Sequence, residues 1–111
     1  MSRNYRNELP QLDTALSALE RAAREAFAVA QDDYPPGASC IVRSQRYGHP
    51  VVERVALIVS TTVDLHIGID GKAWASVSVR TRNLKTGKHR AFYPSVEVAG
   101  LPSVRAMAGA E

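Results

Sequence analysis

From Leu9 to Ala30 the apolar residues Leu9, Leu12, Leu16, Leu19, Ala23, Ala26 and Ala30 recur at intervals of three and four, and the chain then meets Tyr34-Pro35-Pro36-Gly37. This interval marks one face of an α-helix. The opposite face carries Asp13, Ser17, Glu20, Arg21, Arg24 and Glu25, with Glu20 and Arg24 spaced to support each other one turn apart. Asn7 suits the N-cap, and Pro10 is tolerated in a first turn. The two prolines end the helix, because proline lacks the amide and pushes the residue before it out of the helical region. The spacing therefore predicts one long helix over residues 8–32.

Past the break the periodicity changes from helical to alternating. Five strands are expected, at Ala38–Arg43, Val51–Ser60, Val63–Ile69, Ala73–Asn83 and Lys88–Tyr93, with a short sixth at Val96–Val98. Val51–Ser60 is nearly continuous in apolar residues, as for a strand buried on both faces. In Val63–Ile69 the residues Val63, Leu65, Ile67 and Ile69 share one face, and Ala75, Val77, Val79 and Thr81 do the same in the next strand. A three-residue loop, Asp70-Gly71-Lys72, keeps those faces together and pairs Leu65 with Val77 and Val63 with Val79. A loop Lys85-Thr86-Gly87, with glycine in the left-handed position, pairs Val79 with Tyr93, Arg80 with Phe92, Thr81 with Ala91, and Arg82 with Arg90.

The fold class expected is α+β, a long N-terminal helix followed by a five- to six-stranded antiparallel sheet that is strongly curved or closed into a small SH3-like barrel. The 111 residues suit one domain, with helix 8–32, meander or barrel 38–98, and a C-terminal tail 99–111 that frays or forms a short helix.

Composition limits the function classes. Apolar residues make up 45% and charged residues 23%, which is ordinary for a folded protein. The lone cysteine, Cys40 within Ser39-Cys40-Ile41-Val42, excludes an intrachain disulfide and reads as a small core residue. No secretory leader and no membrane-length apolar run is seen, so a cytoplasmic protein without membrane contact is expected. CxxC, HExxH, phosphate-binding glycine loops and GxSxG are missing. No catalytic residue, metal or cofactor is expected.

What remains is charge distribution. The net charge is +3, and Arg80, Arg82, Lys85, Lys88 and Arg90 fall within residues 80–90 with no acid among them. The expected register puts Trp74, Arg80, Arg82, Arg90 and Phe92 on the non-core face, with His66, Asp64, Ser76 and Ser78 nearby. Arginine with aromatic rings on a sheet surface suits nucleic acid, the guanidinium groups meeting phosphate and the rings meeting bases. Arg82 opposite Arg90 is destabilising unless an anion joins them. A structural reading stands beside this one: the helix stripe could cover Trp74 and Phe92, and Asp64 could neutralise Arg80.

Three functions are weighed. The first is a non-catalytic module that contacts nucleic acid or a nucleoprotein through Trp74, Arg80, Arg82, Lys85, Lys88, Arg90 and Phe92, including the 84–90 hairpin. The second is a protein-interaction factor that meets an acidic protein surface, such as a phage or mobile-element inhibitor that blocks a host complex. The third is a small enzyme or ligand-binding barrel, disfavoured by an inner face that is apolar apart from Thr61 and Thr81. The seam Leu9, Leu12, Leu16, Leu19 and Ala23 fits packing on the sheet or pairing with a second copy as a homodimer.

Overall fold

The computed structural model describes residues 10–107. Among the described residues one helix, α1, runs Pro10–Asp33, and the strands are β1 Ser39–Ser44, β2 Val52–Ile67, β3 Ala73–Asn83, β4 His89–Phe92, β5 Glu97–Val98, β6 Leu101–Pro102 and β7 Val104–Ala106. The fold is α+β, with a five-stranded antiparallel sheet in the order β4-β3-β2-β1-β7 and a two-stranded sheet β5-β6. The large sheet curves without closing. Beyond its open side, Ser103 Oγ donates to the Tyr93 carbonyl at 2.7 Å, and Ser103 N–H donates to the Val96 carbonyl at 2.8 Å.

The core lies within the curve: Cys40, Val42, Ala56, Ile58, Val79, Phe92 and Val104. Val104 is fully buried, so the segment expected to be a tail instead supplies an edge strand and a core side chain. A strand of three residues is too short for alternation to reveal in the sequence. Burial in this apolar surround pushes the Cys40 thiol up to about 11, a hydrogen bond with Ala56 opposing the shift.

The two expected strands Val51–Ser60 and Val63–Ile69 are one strand of 16 residues. No glycine, proline, asparagine or aspartate interrupts Ser60-Thr61-Thr62, so nothing turns the chain. The pairing slips between Ile58 and Ser60, leaving Val59 as the extra residue of a bulge. That single residue moves the inward positions from Ala56 and Ile58 to Thr61, Val63 and Leu65. β2 is therefore buried on one face at a time, not on both.

α1 has β2 as its main partner. Leu12, Leu16, Leu19, Ala23 and Ala26 are half-buried and Ala30 is buried, while Leu9 lies outside the described residues. The helix ends where the prolines require. Its last turn is tied to the bulge region: Gln31 Nε2 donates to the Thr61 carbonyl at 2.8 Å, and Thr61 Oγ1 donates to the Tyr34 carbonyl at 2.8 Å. Burial and then Asp33 raise the Tyr34 phenol. Gly37, with φ of 91°, takes a left-handed turn, and its N–H reaches the Ile58 carbonyl at 2.8 Å. The inward Thr81 is likewise satisfied within the fold, donating to the Arg90 carbonyl at 3.1 Å.

Candidate nucleic-acid interface

β3 forms where expected, Ala73–Asn83, and its alternation puts Val77, Val79 and Thr81 inward and Trp74, Ser76, Ser78, Arg80 and Arg82 outward. What each outward residue meets is set by the two hairpin loops, and both differ from the expected ones.

The β2–β3 loop is Ile69-Asp70-Gly71, closed by Gly71 N–H to the Gly68 carbonyl and Gly68 N–H to the Lys72 carbonyl, both at 2.9 Å. Gly71, with φ of 79°, fills the last, left-handed loop position. A loop over 70–72 would have placed Lys72 there, at a steric cost that glycine does not carry. The register therefore pairs Val63 with Val77 and Leu65 with Ala75, two residues from the expected pairing but with the same faces together. One consequence is that His66 lies directly opposite Trp74.

The β3–β4 loop has four residues, Leu84–Gly87, with Gly87 N–H bonded to the Asn83 carbonyl and Asn83 N–H to the Lys88 carbonyl, both at 2.9 Å. Asn83 Oδ1 accepts from Lys85 N–H at 2.8 Å and Thr86 N–H at 3.1 Å, which organises the extra residue. The added residue shifts β4 by one and exchanges its faces. Val79 now meets Phe92, Arg80 meets Ala91, Thr81 meets Arg90 and Arg82 meets His89.

The candidate residues are divided accordingly. Trp74, Arg80 and Arg82 share the outer face and are exposed. Lys85 and Lys88 are exposed in and beside the loop next to Arg82. Phe92 and Arg90 are not on that face. Phe92 is 7% exposed within the core, and the Arg90 guanidinium lies over its ring, 4.9 Å from the centroid. The expected Arg82–Arg90 opposition therefore does not occur. Nor does α1 cover the aromatics: Trp74 is 57% exposed, and Phe92 is buried by sheet residues.

The outer face is electrostatically one-sided at its β4 end. Arg80 is flanked by Ser60 and Ala91, and Arg82 by Leu57 and His89, so no acid occupies a paired position beside either. Asp64 pairs with Ser76 instead, four residues or roughly 13 Å along the strand from Arg80. Among the described residues the ion pair on this sheet joins Arg43 to Glu53 at 2.7 Å, away from the arginine row. Arg43 also donates to the Val98 carbonyl at 2.7 Å, so its cation is committed to holding the small sheet against the large one.

At the other end His66 and Trp74 stack with ring centroids 4.0 Å apart and planes 15° from parallel. His66 Nε2 lies 3.2 Å from Ser76 Oγ. His66 was counted only as a neighbour in the sequence. Placing Gly71 last in its loop was the signal that would have set it against Trp74. Among the described residues no three His, Cys, Asp or Glu side chains are grouped to hold a metal ion, and no helix is long and apolar enough to cross a membrane. Comparison with protein-family models, with curated proteins and with solved structures returned no match.

Proposed function

We propose that this chain is a non-catalytic binding module that holds nucleic acid against the outer face of β3. Arg80 and Arg82 supply the central contacts, and Lys85 and Lys88 extend them along the loop. The observation that carries the reading is the pair of exposed arginines with no acid at any register-paired position. Such side chains raise the local potential and suit phosphate, which a guanidinium meets with two parallel hydrogen bonds. The test is a titration of the full chain with labelled mixed-sequence DNA and RNA at low and moderate salt. Wild type is expected to bind, and the double variant Arg80→Glu/Arg82→Glu to lose binding with its circular dichroism unchanged. Equal binding by that folded variant, or no binding by wild type, sinks the reading.

One feature favours an acidic protein surface as the second choice. Val55 is 46% exposed on the same face, beside half-buried Leu57 and Ile41. Apolar residues bordering cations suit a protein–protein contact, as an inhibitor of a host complex would need. Capture of a specific protein by a wild type that ignores all nucleic acids would select this reading.

A further inference from the structure

The outer face of β3 has two chemically different ends with a low stretch between them. Between Trp74 and Arg80 the outward residues of β3 are Ser76 and Ser78, and β2 sets Asp64, Thr62 and Ser60 opposite Ser76, Ser78 and Arg80. All of these but Arg80 are short. Arg80 lies six positions along the strand from Trp74, about 20 Å. At the ~3.4 Å rise per nucleotide of a duplex strand that is roughly six nucleotides, and fewer if the strand is extended.

The indole is prepared on one face only. His66 covers it from the β2 side, as a parallel stack with a directly opposite partner requires. The contact to Ser76 steadies the imidazole in turn. The other indole face looks away from β2, over the side of β3 that β4 leaves open, because β4 pairs only with Val79–Arg82. A flat apolar group can therefore lie on Trp74 as the outer layer of a three-ring stack. The charges sort the ligand's parts: Asp64, on the strand position next to this end, disfavours phosphate there, while Arg80 and Arg82 attract it at the other.

We infer that the ligand is single-stranded nucleic acid that lays one unpaired base on the free face of Trp74 and sets its phosphates on Arg80 and Arg82. This rests on the nucleic-acid reading above and adds the strandedness. Bases inside a duplex are already stacked on each other and offer no face to an indole on a sheet. A base–aromatic stack that tolerates any sequence is the usual means of holding single strands.

The test uses the full chain and three fluorescein-labelled probes: an eight-nucleotide oligothymidylate, an abasic strand with the same phosphates, and a short hairpin duplex. The oligothymidylate is expected to bind at least tenfold tighter than the abasic strand and the duplex, and alone to quench Trp74 emission. Trp74→Ala should lower oligothymidylate affinity about tenfold and leave the abasic strand unchanged, while Trp74→Phe should keep part of the difference. Equal affinity for oligothymidylate and abasic strand, or no effect of Trp74→Ala, overturns the inference. If Arg80→Glu/Arg82→Glu still abolishes binding in that case, the nucleic-acid reading survives without the stacked base. Failure of all three probes to bind removes both.

Discussion

Asn83 decides which side chains share a face at the β4 end of the sheet. Its Oδ1 gathers two loop amides, the loop takes four residues, and Phe92 turns inward onto Val79 while Arg90 follows onto Thr81. Phe92 is thus a core residue and Arg82 a surface one, and the two should separate experimentally. Phe92→Ala is expected to cost about 3–4 kcal/mol of stability by denaturant unfolding. The same measurement on Arg82→Ala should stay within about 0.5 kcal/mol of wild type, yet that variant should bind nucleic acid more weakly. Equal destabilisation by the two would contradict the faces described. Cys40 gives a second residue-scale expectation. Its thiol is raised from 9.0 to about 11 by burial, so the unfolded chain loses this proton at a lower pH than the folded one. The stability that the neutral thiol contributes is whole below pH 9 and falls away between 9 and about 11. At pH 8 a thiol reagent should leave the native protein unmodified and label it fully in denaturant. Rapid labelling of the native protein would mean that Cys40 is not sealed in the core.

Among the elements, those that follow from repetition were legible in the sequence and those that turn on one residue were not. The stripe from Leu12 to Ala30, cut by Pro35-Pro36, placed the end of α1 to within one residue, while its expected start at residue 8 lies outside the described residues. Unbroken alternation placed β3 on its observed bounds. β2 was divided in two because a bulge and a turn leave the same mark on a hydrophobic pattern, a change of phase. Only the lack of turn residues around Thr61 distinguishes them. Both hairpin loops are visible in the sequence, but one lies one residue earlier than expected and the other is one residue longer. At 69–71 that slip kept the faces and missed the His66–Trp74 pair. At 84–87 it exchanged the faces of β4, which removed Arg90 and Phe92 from the candidate site while Trp74, Arg80 and Arg82 kept their places. Of the two expected forms, curved sheet and small barrel, the open sheet is the one that forms, and the tail strand β7 was invisible because three residues, Val104–Ala106, are too few for alternation to mark a strand. Gly71→Ala isolates the loop effect, since a Cβ there meets nothing within 4 Å and only its φ of +79° resists it. A loss of about 1 kcal/mol is expected, read by denaturant unfolding with the slope unchanged. No loss would mean that the loop settles into a different turn and that the pairing of His66 with Trp74 is not fixed by it.

At the scale of the whole molecule, shape and charge act together. The Cα radius of gyration is 17.9 Å and the extents are 55 × 33 × 27 Å, whereas a compact chain of this length has a radius near 13 Å. The elongation comes from β2 and β3, which run on past the reach of β1 and β4 as a two-stranded arm that carries Trp74 near its tip. The arginines sit at the root of the arm, where the sheet is widest. With a net charge of only +3, the molecule as a whole exerts little pull on a polyanion, and binding depends on the few cations that actually touch phosphate. This makes salt dependence a count of contacts. If Arg80, Arg82, Lys85 and Lys88 each meet one phosphate of a single strand, the slope of log affinity against log salt should be about −3. Affinity should then fall roughly 50-fold between 50 and 200 mM salt, since a fourfold change acts through that slope. Removing Lys85 and Lys88 together should bring the slope to about −1.5 and leave the quenching of Trp74 at saturation unchanged. A slope near zero in the wild type would mean that the arginine row meets something other than phosphate.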